Sequence, residues 1–227
     1  MGCNFCASGK AGFIRNLSAG EMLSEVLQMR NTAGEDIRHI VVMGIGEPFD
    51  NYNELSRFLR IINEPRGYNL SMRNITVSTS GVIPVIYKFA EDFPQVNLAV
   101  SLHAPNDEIR KKMMPVAKKY GYDELLSTCK EYTEITSRRI TFEYALVQGV
   151  NDSESDARLL ASRLKGWRNH VNLILLNEIE GTKLASSARA DAERFKAVLE
   201  SKGIAVTLRR TLGADIDAAC GQLRLRR

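Results

Sequence analysis

Residues 37–51 read Ile-Arg-His-Ile-Val-Val-Met-Gly-Ile-Gly-Glu-Pro-Phe-Asp-Asn, an apolar run that stops abruptly in glycine, proline and acid. Such a run reads as a buried strand that ends in a turn. Working outward, the same alternation recurs. Upstream, Ser18-Ala-Gly-Glu21 has capping-box spacing, and Glu21–Arg30 places apolar residues at helical intervals. Downstream, a helical pattern over 53–63 precedes a strand at 74–81, and a helix at 82–92 precedes a strand at 96–103. Helices over 106–118 and 122–135 lead to a strand at 138–147, and a helix at 153–166 leads to one at 170–177. A helix at 189–203, with Gly203 as its C-cap, leads to a last strand at 204–211. Strands spaced by helices imply βαβ units and parallel pairing. The expected fold is a single α/β domain over 1–227, barrel-like or doubly wound.

The bulk properties fit that expectation. The chain has 227 residues, of which 44% are hydrophobic and 26% charged, ordinary values for a globular domain. The longest apolar runs, such as Ile40–Gly46 and Val171–Leu176, are far short of a membrane span, and no charged-then-apolar leader opens the chain. Four cysteines in a chain this long do not make a disulfide scaffold, so the expected compartment is the reducing cytoplasm. A net charge of +4 permits an anionic partner without requiring one. There is no internal repeat, and the basic end Arg-Leu-Arg-Leu-Arg-Arg is the one biased segment.

Polar residues gather at the carboxyl ends of the strands, where ligand sites of parallel α/β sheets lie. They are Gly44, Gly46 and Glu47 after the first strand, Ser78 to Gly81 at the second, and Ser101-Leu102-His103 at the third. Glu143 and Asn151-Asp152 belong to the fourth, and Asn177 ends the fifth. Any one of these suits an ordinary turn or cap. Five in succession read as the rim of a small-molecule site. The pair Cys3 and Cys6 opens the chain. A redox pair would follow a strand, and none precedes it; a zinc site would need about four ligands, and there is no second C-x-x-C. The remaining use is a C-x3-C-x2-C loop whose thiolates hold a [4Fe–4S] cluster, with its first cysteine upstream of Met1.

The segments 2–17, 41–51, 75–84, 100–110, 142–152, 171–177 and 215–224 occur together in a known order. They resemble the radical S-adenosylmethionine (SAM) methyltransferases of 23S ribosomal RNA, most closely their C2-methylating, dual-specificity rRNA/tRNA branch. The resemblance covers essentially the whole chain and rests most firmly on Met43–Pro48, Ser101–Asp107 and Asp215–Leu223. It implies a radical SAM partial (β/α)6 TIM-like barrel, here lacking the family's first strand and N-terminal accessory domain. Cys3 and Cys6 match cluster ligands. Gly46, Glu47, Ser78, Ser101, Leu102, His103 and Asn177 match SAM contacts, and Cys220 matches the cysteine that carries a methyl group. Leu175 stands where relatives commonly have proline.

The implied chemistry suits an electron-poor carbon such as adenine C2, which does not attack a sulfonium methyl as a nucleophile. In the family scheme one SAM methylates the thiolate, and a 5′-deoxyadenosyl radical from a second SAM activates that S-methyl group. The resulting RNA adduct is resolved by a disulfide with a cysteine upstream of this chain. The implied partners are 23S rRNA, tRNA and an electron donor such as flavodoxin; no membrane is involved and a monomer is expected.

Plainer roles stand beside these. From composition alone Cys220 reads as a small buried hydrophobe. Cys129 lies on an amphipathic helix and reads as structural, as do His39 and His170. The Lys111-Lys112 and Lys118-Lys119 pairs suit a solvated helix face. Arg209, Arg210 and the basic end could contact RNA phosphates. Two other functions remain: a C8-methylating, antibiotic-resistance relative, and a SAM-binding fragment without catalysis.

Overall fold

The computed structural model describes residues 1–6, 12–177 and 184–209. Six strands form one sheet in the order β1–β2–β3–β4–β5–β6, every neighbouring pair parallel. They are β1 (Ile40–Val42), β2 (Ile75–Thr79), β3 (Asn97–Ser101), β4 (Ile140–Leu146), β5 (Asn169–Leu175) and β6 (Val206–Leu208). A doubly wound sheet reverses its strand order at a switch point. This order runs consecutively from edge to edge, which is the topology of a partial (β/α)6 barrel.

The helices are α1 (Ala19–Ala33), α2 (Tyr52–Asn63), α3 (Ile83–Asp92), α4 (Asp107–Met113), α5 (Tyr122–Thr136), α6 (Glu154–Leu164) and α7 (Arg189–Ser201). The capping box expected at Ser18 is formed, with Glu21 bonded to the Ser18 backbone N–H. Ser153 and Asp156 form a second one at α6. The helix expected over 106–118 is corrected: α4 stops at Met113, Met114 is extended, and a separate 3-10 turn runs Pro115–Lys118. Proline cannot donate into a helix and disfavours helical backbone in the residue before it.

Alternation along the strands divides the sheet into two faces. Ile75 and Val77 of β2, Leu98 and Val100 of β3, Phe142, Tyr144 and Leu146 of β4, and Val171 and Leu173 of β5 pack against the helices in one core. Phe58, Phe89, Leu125, Leu160 and Phe195 close that core from the helical side. The intervening positions form the inner face: Ser78, Ser101, Glu143 and Asn172 on β2 to β5, and Thr207 on β6. Cys129 is fully buried on α5, as a structural cysteine should be. His170 bonds the Thr207 hydroxyl at 2.9 Å and so ties β5 to β6. Among the described residues no helix is long and apolar enough to cross a membrane.

Candidate functional site

The carboxyl ends of the six strands lie along one edge of the parallel sheet, and the predicted polar residues lie there. Glu47 is buried just past β1. Its Oε1 accepts the Phe49 N–H at 3.1 Å, and its Oε2 accepts both the backbone N–H and the hydroxyl of Ser80 at 2.7 Å. The carboxylate therefore braces the end of β1 against the end of β2. Burial pushes its pKa up, and the Ser80 bonds pull against that shift. Gly46 beside it has φ +96°, a conformation side chains rarely adopt, which explains glycine at this bend.

Ser78 and Ser101 are half-buried on the inner face, and Ser101 stands in register with Glu143 of β4. Glu143 accepts a bond from Asn172 at 2.9 Å, and burial raises its pKa. The Leu102 side chain, fully buried, belongs to the helix-side core, so what it offers the site is backbone. Its N–H donates to the Glu143 carbonyl at 3.0 Å.

His103 follows in the left-handed region at φ +54°. Its Nδ1 accepts the Ala145 N–H at 2.9 Å, and burial, with the nearby Arg110 charge, depresses its pKa to about 3. The ring is a neutral brace between β3 and β4. Asn151 completes this brace: its Oδ1 accepts from Val147 N at 2.7 Å, and its Nδ2 donates to the carbonyls of His103 and Ala145 at 2.7 and 2.8 Å. Asn177 is half-buried two residues beyond β5, at the same edge.

The cysteine turn docks on this rim. Asn4 donates its N–H to the Met113 carbonyl at 3.1 Å and its side-chain amide to the Lys112 carbonyl at 2.7 Å, both at the end of α4. The Phe5 ring meets the His103 ring edge-on with centroids 4.8 Å apart. The Cys6 N–H closes the turn on the Cys3 carbonyl at 3.2 Å. Cys3 packs with Met113, Met114 and Val147. Both thiols are half-buried and free; the buried Cys129 is free as well. Burial and the neighbouring Cys6 push the Cys3 pKa up to about 11. A soft metal centre would have to displace that proton, and thiolate is the form iron–sulfur clusters take. Two adjacent thiols on a fixed turn beside the polar rim are a suitable partial donor set. Among the described residues no group of three or more metal-binding side chains gathers, at this turn or elsewhere.

The sequence places Ser80 on the rim only as part of Ser78 to Gly81, and it gives no sign of Arg110. Arg110, on α4, is fully buried and its Nη2 donates to the Ser80 carbonyl at 2.7 Å and the Ser101 carbonyl at 3.3 Å. Cys220 lies outside the described residues.

The sequence profile of the radical SAM superfamily matches residues 1–160, more than half of the chain. The chain belongs to that superfamily. Membership implies a [4Fe–4S] cluster and SAM as cofactors, and Cys3 and Cys6 fit the first. The chain is 52% identical over 224 residues to the "Probable dual-specificity RNA methyltransferase RlmN" of Alkaliphilus oremlandii, covering 99% of this chain and 65% of the relative. A protein of the same name from Clostridium perfringens is also 52% identical, with the same coverage. This chain thus spans about two thirds of the length of the curated relatives it matches. A radical SAM methyltransferase from Sphaerobacter thermophilus superposes with TM-score 0.95 at 47% identity, over 98% of this chain and 66% of that one. The SAM-bound SuiB of Streptococcus suis superposes with TM-score 0.66 at 14% identity, over 92% of this chain and 47% of that one, a likeness of fold alone.

Proposed function

We propose that this chain is the radical SAM core of a methyltransferase that modifies C2 of an adenosine in 23S rRNA and in tRNA. The observation that carries the proposal is the cysteine turn seated on the Ser101-Leu102-His103 strand end, in a chain half-identical to proteins named dual-specificity RNA methyltransferases. Cys3 and Cys6 would hold the cluster. Bound cluster and SAM supply a one-electron route to carbon chemistry that an electron-poor ring carbon otherwise resists.

The chain's own residues bind and orient. Glu47, buried at the strand end and held by Phe49 and Ser80, places a carboxylate where it would face a ligand ammonium group. Ser78 and Ser101 offer hydroxyls from the inner face, and Gly46 and Asn177 border the same edge. His103 orients the rim but takes no proton at Nδ1, which the Ala145 amide occupies. Cys220 serves as the methyl carrier. In the cytoplasm the protein would act as a monomer, with flavodoxin or a similar protein as its electron donor. Exposed Arg209 suits contact with RNA phosphates.

Mass spectrometry of adenosine from 23S rRNA and tRNA of a deletion strain, complemented with wild type or Cys220→Ala, tests this. Wild type should restore 2-methyladenosine and Cys220→Ala should restore none. Restoration of 8-methyladenosine would move the protein to the C8 branch, and restoration of neither would leave SAM binding without catalysis. Wild-type levels from Cys220→Ala would remove the methyl carrier.

A further inference from the structure

Arg110 is not explained as a stabilising element by its own surroundings. Its side chain has 0% exposure, yet Nε and Nη1 have no hydrogen-bond partner. Nη2 alone is engaged, with the carbonyls of Ser80 and Ser101. Among the described residues no carboxylate forms an ion pair with it. Tyr122 and Cys129, which lie within its electrostatic reach, are both held neutral by burial that raises their pKa values. Asp107, one turn back on α4, lies within its electrostatic reach but is engaged by Lys111 and the Tyr122 N–H. The guanidinium is therefore a buried charge with two unsatisfied donors and no ion-pair partner, which is unfavourable for folding.

The position of the guanidinium suggests what it serves. Arg110 and Met113 are one turn apart and are the two buried residues of α4. The Met113 carbonyl receives Asn4, and Cys3 packs against the small cluster of Met113, Met114, Val147 and Leu176. On the other side, Ser80 receives Nη2 on its carbonyl, and its hydroxyl, which donates to Glu47, lies 3.6 Å from the Met1 sulfur. The segment carrying Cys3 and Cys6 is thus held at the end of α4, one turn from the guanidinium, and its first residue lies against Ser80, which the guanidinium also bonds.

We propose that Arg110 is a positioning residue: the buried counter-charge of a thiolate-bound iron–sulfur cluster held at Cys3 and Cys6. The proposal rests on the cluster assignment made above. Reduction by a low-potential donor such as dithionite adds one electron, with no proton and no bond made or broken, so the site gains one negative charge. A fixed cation in a low-dielectric setting favours the reduced form, and cluster potentials respond to local charge. For unit charges on the order of 10 Å apart at an effective dielectric near 20, the effect would be roughly tenfold in the ratio of reduced to oxidised cluster. For a one-electron couple that is about 59 mV.

Wild type, Arg110→Lys and Arg110→Met are compared in two measurements. The first is thermal stability of the metal-free chain. Arg110→Met should be at least as stable as wild type, because a buried cation is often replaced by an apolar side chain without loss. The second is the cluster midpoint after anaerobic reconstitution, followed by paramagnetic resonance during a dithionite titration. Arg110→Met should move to more negative potential by about the tenfold factor, with Arg110→Lys staying close to wild type. An Arg110→Met chain that unfolds would overturn the proposal, since the guanidinium would then be needed to hold the strand ends. Equal displacement of both variants, or of neither, would overturn it as well, because charge would not be the cause. These variants are made in the full-length protein that carries the upstream cluster cysteine, and a full-length wild type that takes up no iron would overturn the cluster assignment itself, an outcome separate from the other three.

Discussion

A buried imidazole that accepts a backbone amide on one nitrogen has a fixed protonation state, and His103 is such a ring. Its pKa is about 3 in the folded chain against 6.5 for an ordinary histidine. Between those values the unfolded chain binds a proton that the folded one refuses. Stability therefore falls as pH drops through that window, by up to about 1.4 kcal/mol per pH unit from this residue. Above the window both states are neutral and the contribution to the slope vanishes. His103→Gln should flatten the decline between about pH 7 and pH 4 in urea unfolding, and an unchanged decline would show that other groups govern it. The motif Ser101-Leu102-His103 marked the right strand end in the sequence, but side-chain roles there were less legible. Strand alternation sends Leu102 into the core, and the turn after β2 brings Ser80 to the Glu47 carboxylate while Ser78 stays on the strand. Arg110 was hidden for another reason: among Glu108, Lys111 and Lys112 it reads as one more charge on a solvated helix. Nothing local reveals that its side chain turns inward.

At the scale of elements, the break between α4 and the following 3-10 turn has a consequence for the site. The carbonyls of Lys112 and Met113 are available to Asn4 because no continuing helix claims them. Pro115 enforces that break. Helical periodicity runs through 106–118, and a reading by period alone carries the helix across it; proline at this position is the signal that should have divided it. Replacing Pro115 by alanine removes the block. The helix should lengthen, Met113 O should be drawn into it, and the cysteine turn should lose its anchor. The expected result is faster alkylation of Cys3 and Cys6 in the metal-free chain, with global stability changed by only about 1 kcal/mol, the net worth of a typical hydrogen bond. Unaltered alkylation rates would mean that Phe5 on His103 suffices to seat the turn. The six strands, by contrast, were legible in number and order. Each is a short apolar run bounded by turn residues, and parallel burial leaves little for tertiary context to override.

Across the whole molecule the two faces of the sheet differ in how they are covered. The helix side is closed from β1 to β6, and the inner face is polar from β2 onward, as suits a ligand cleft. Strand β1 departs from this. Val41 is 62% exposed, and Met43 and Ile45 beyond it are 39% and 59% exposed. Leu27 and Met29 of α1 are likewise exposed. Among the described residues β1 pairs only with β2, so its other edge presents open backbone groups next to apolar side chains. An apolar, unpaired edge is a template for pairing with another chain, and lysine on such an edge is a common natural safeguard. We therefore expect these 227 residues to aggregate on concentration or mild heating, at temperatures below cooperative unfolding. Val41→Lys, at an exposed position with no core contact to lose, should suppress light scattering while leaving the circular dichroism melt within about 0.5 kcal/mol of wild type, as for most surface substitutions. Scattering that rises equally in both chains would place the sticky surface elsewhere, and the exposed Leu27 and Met29 of α1 would be the next positions to change.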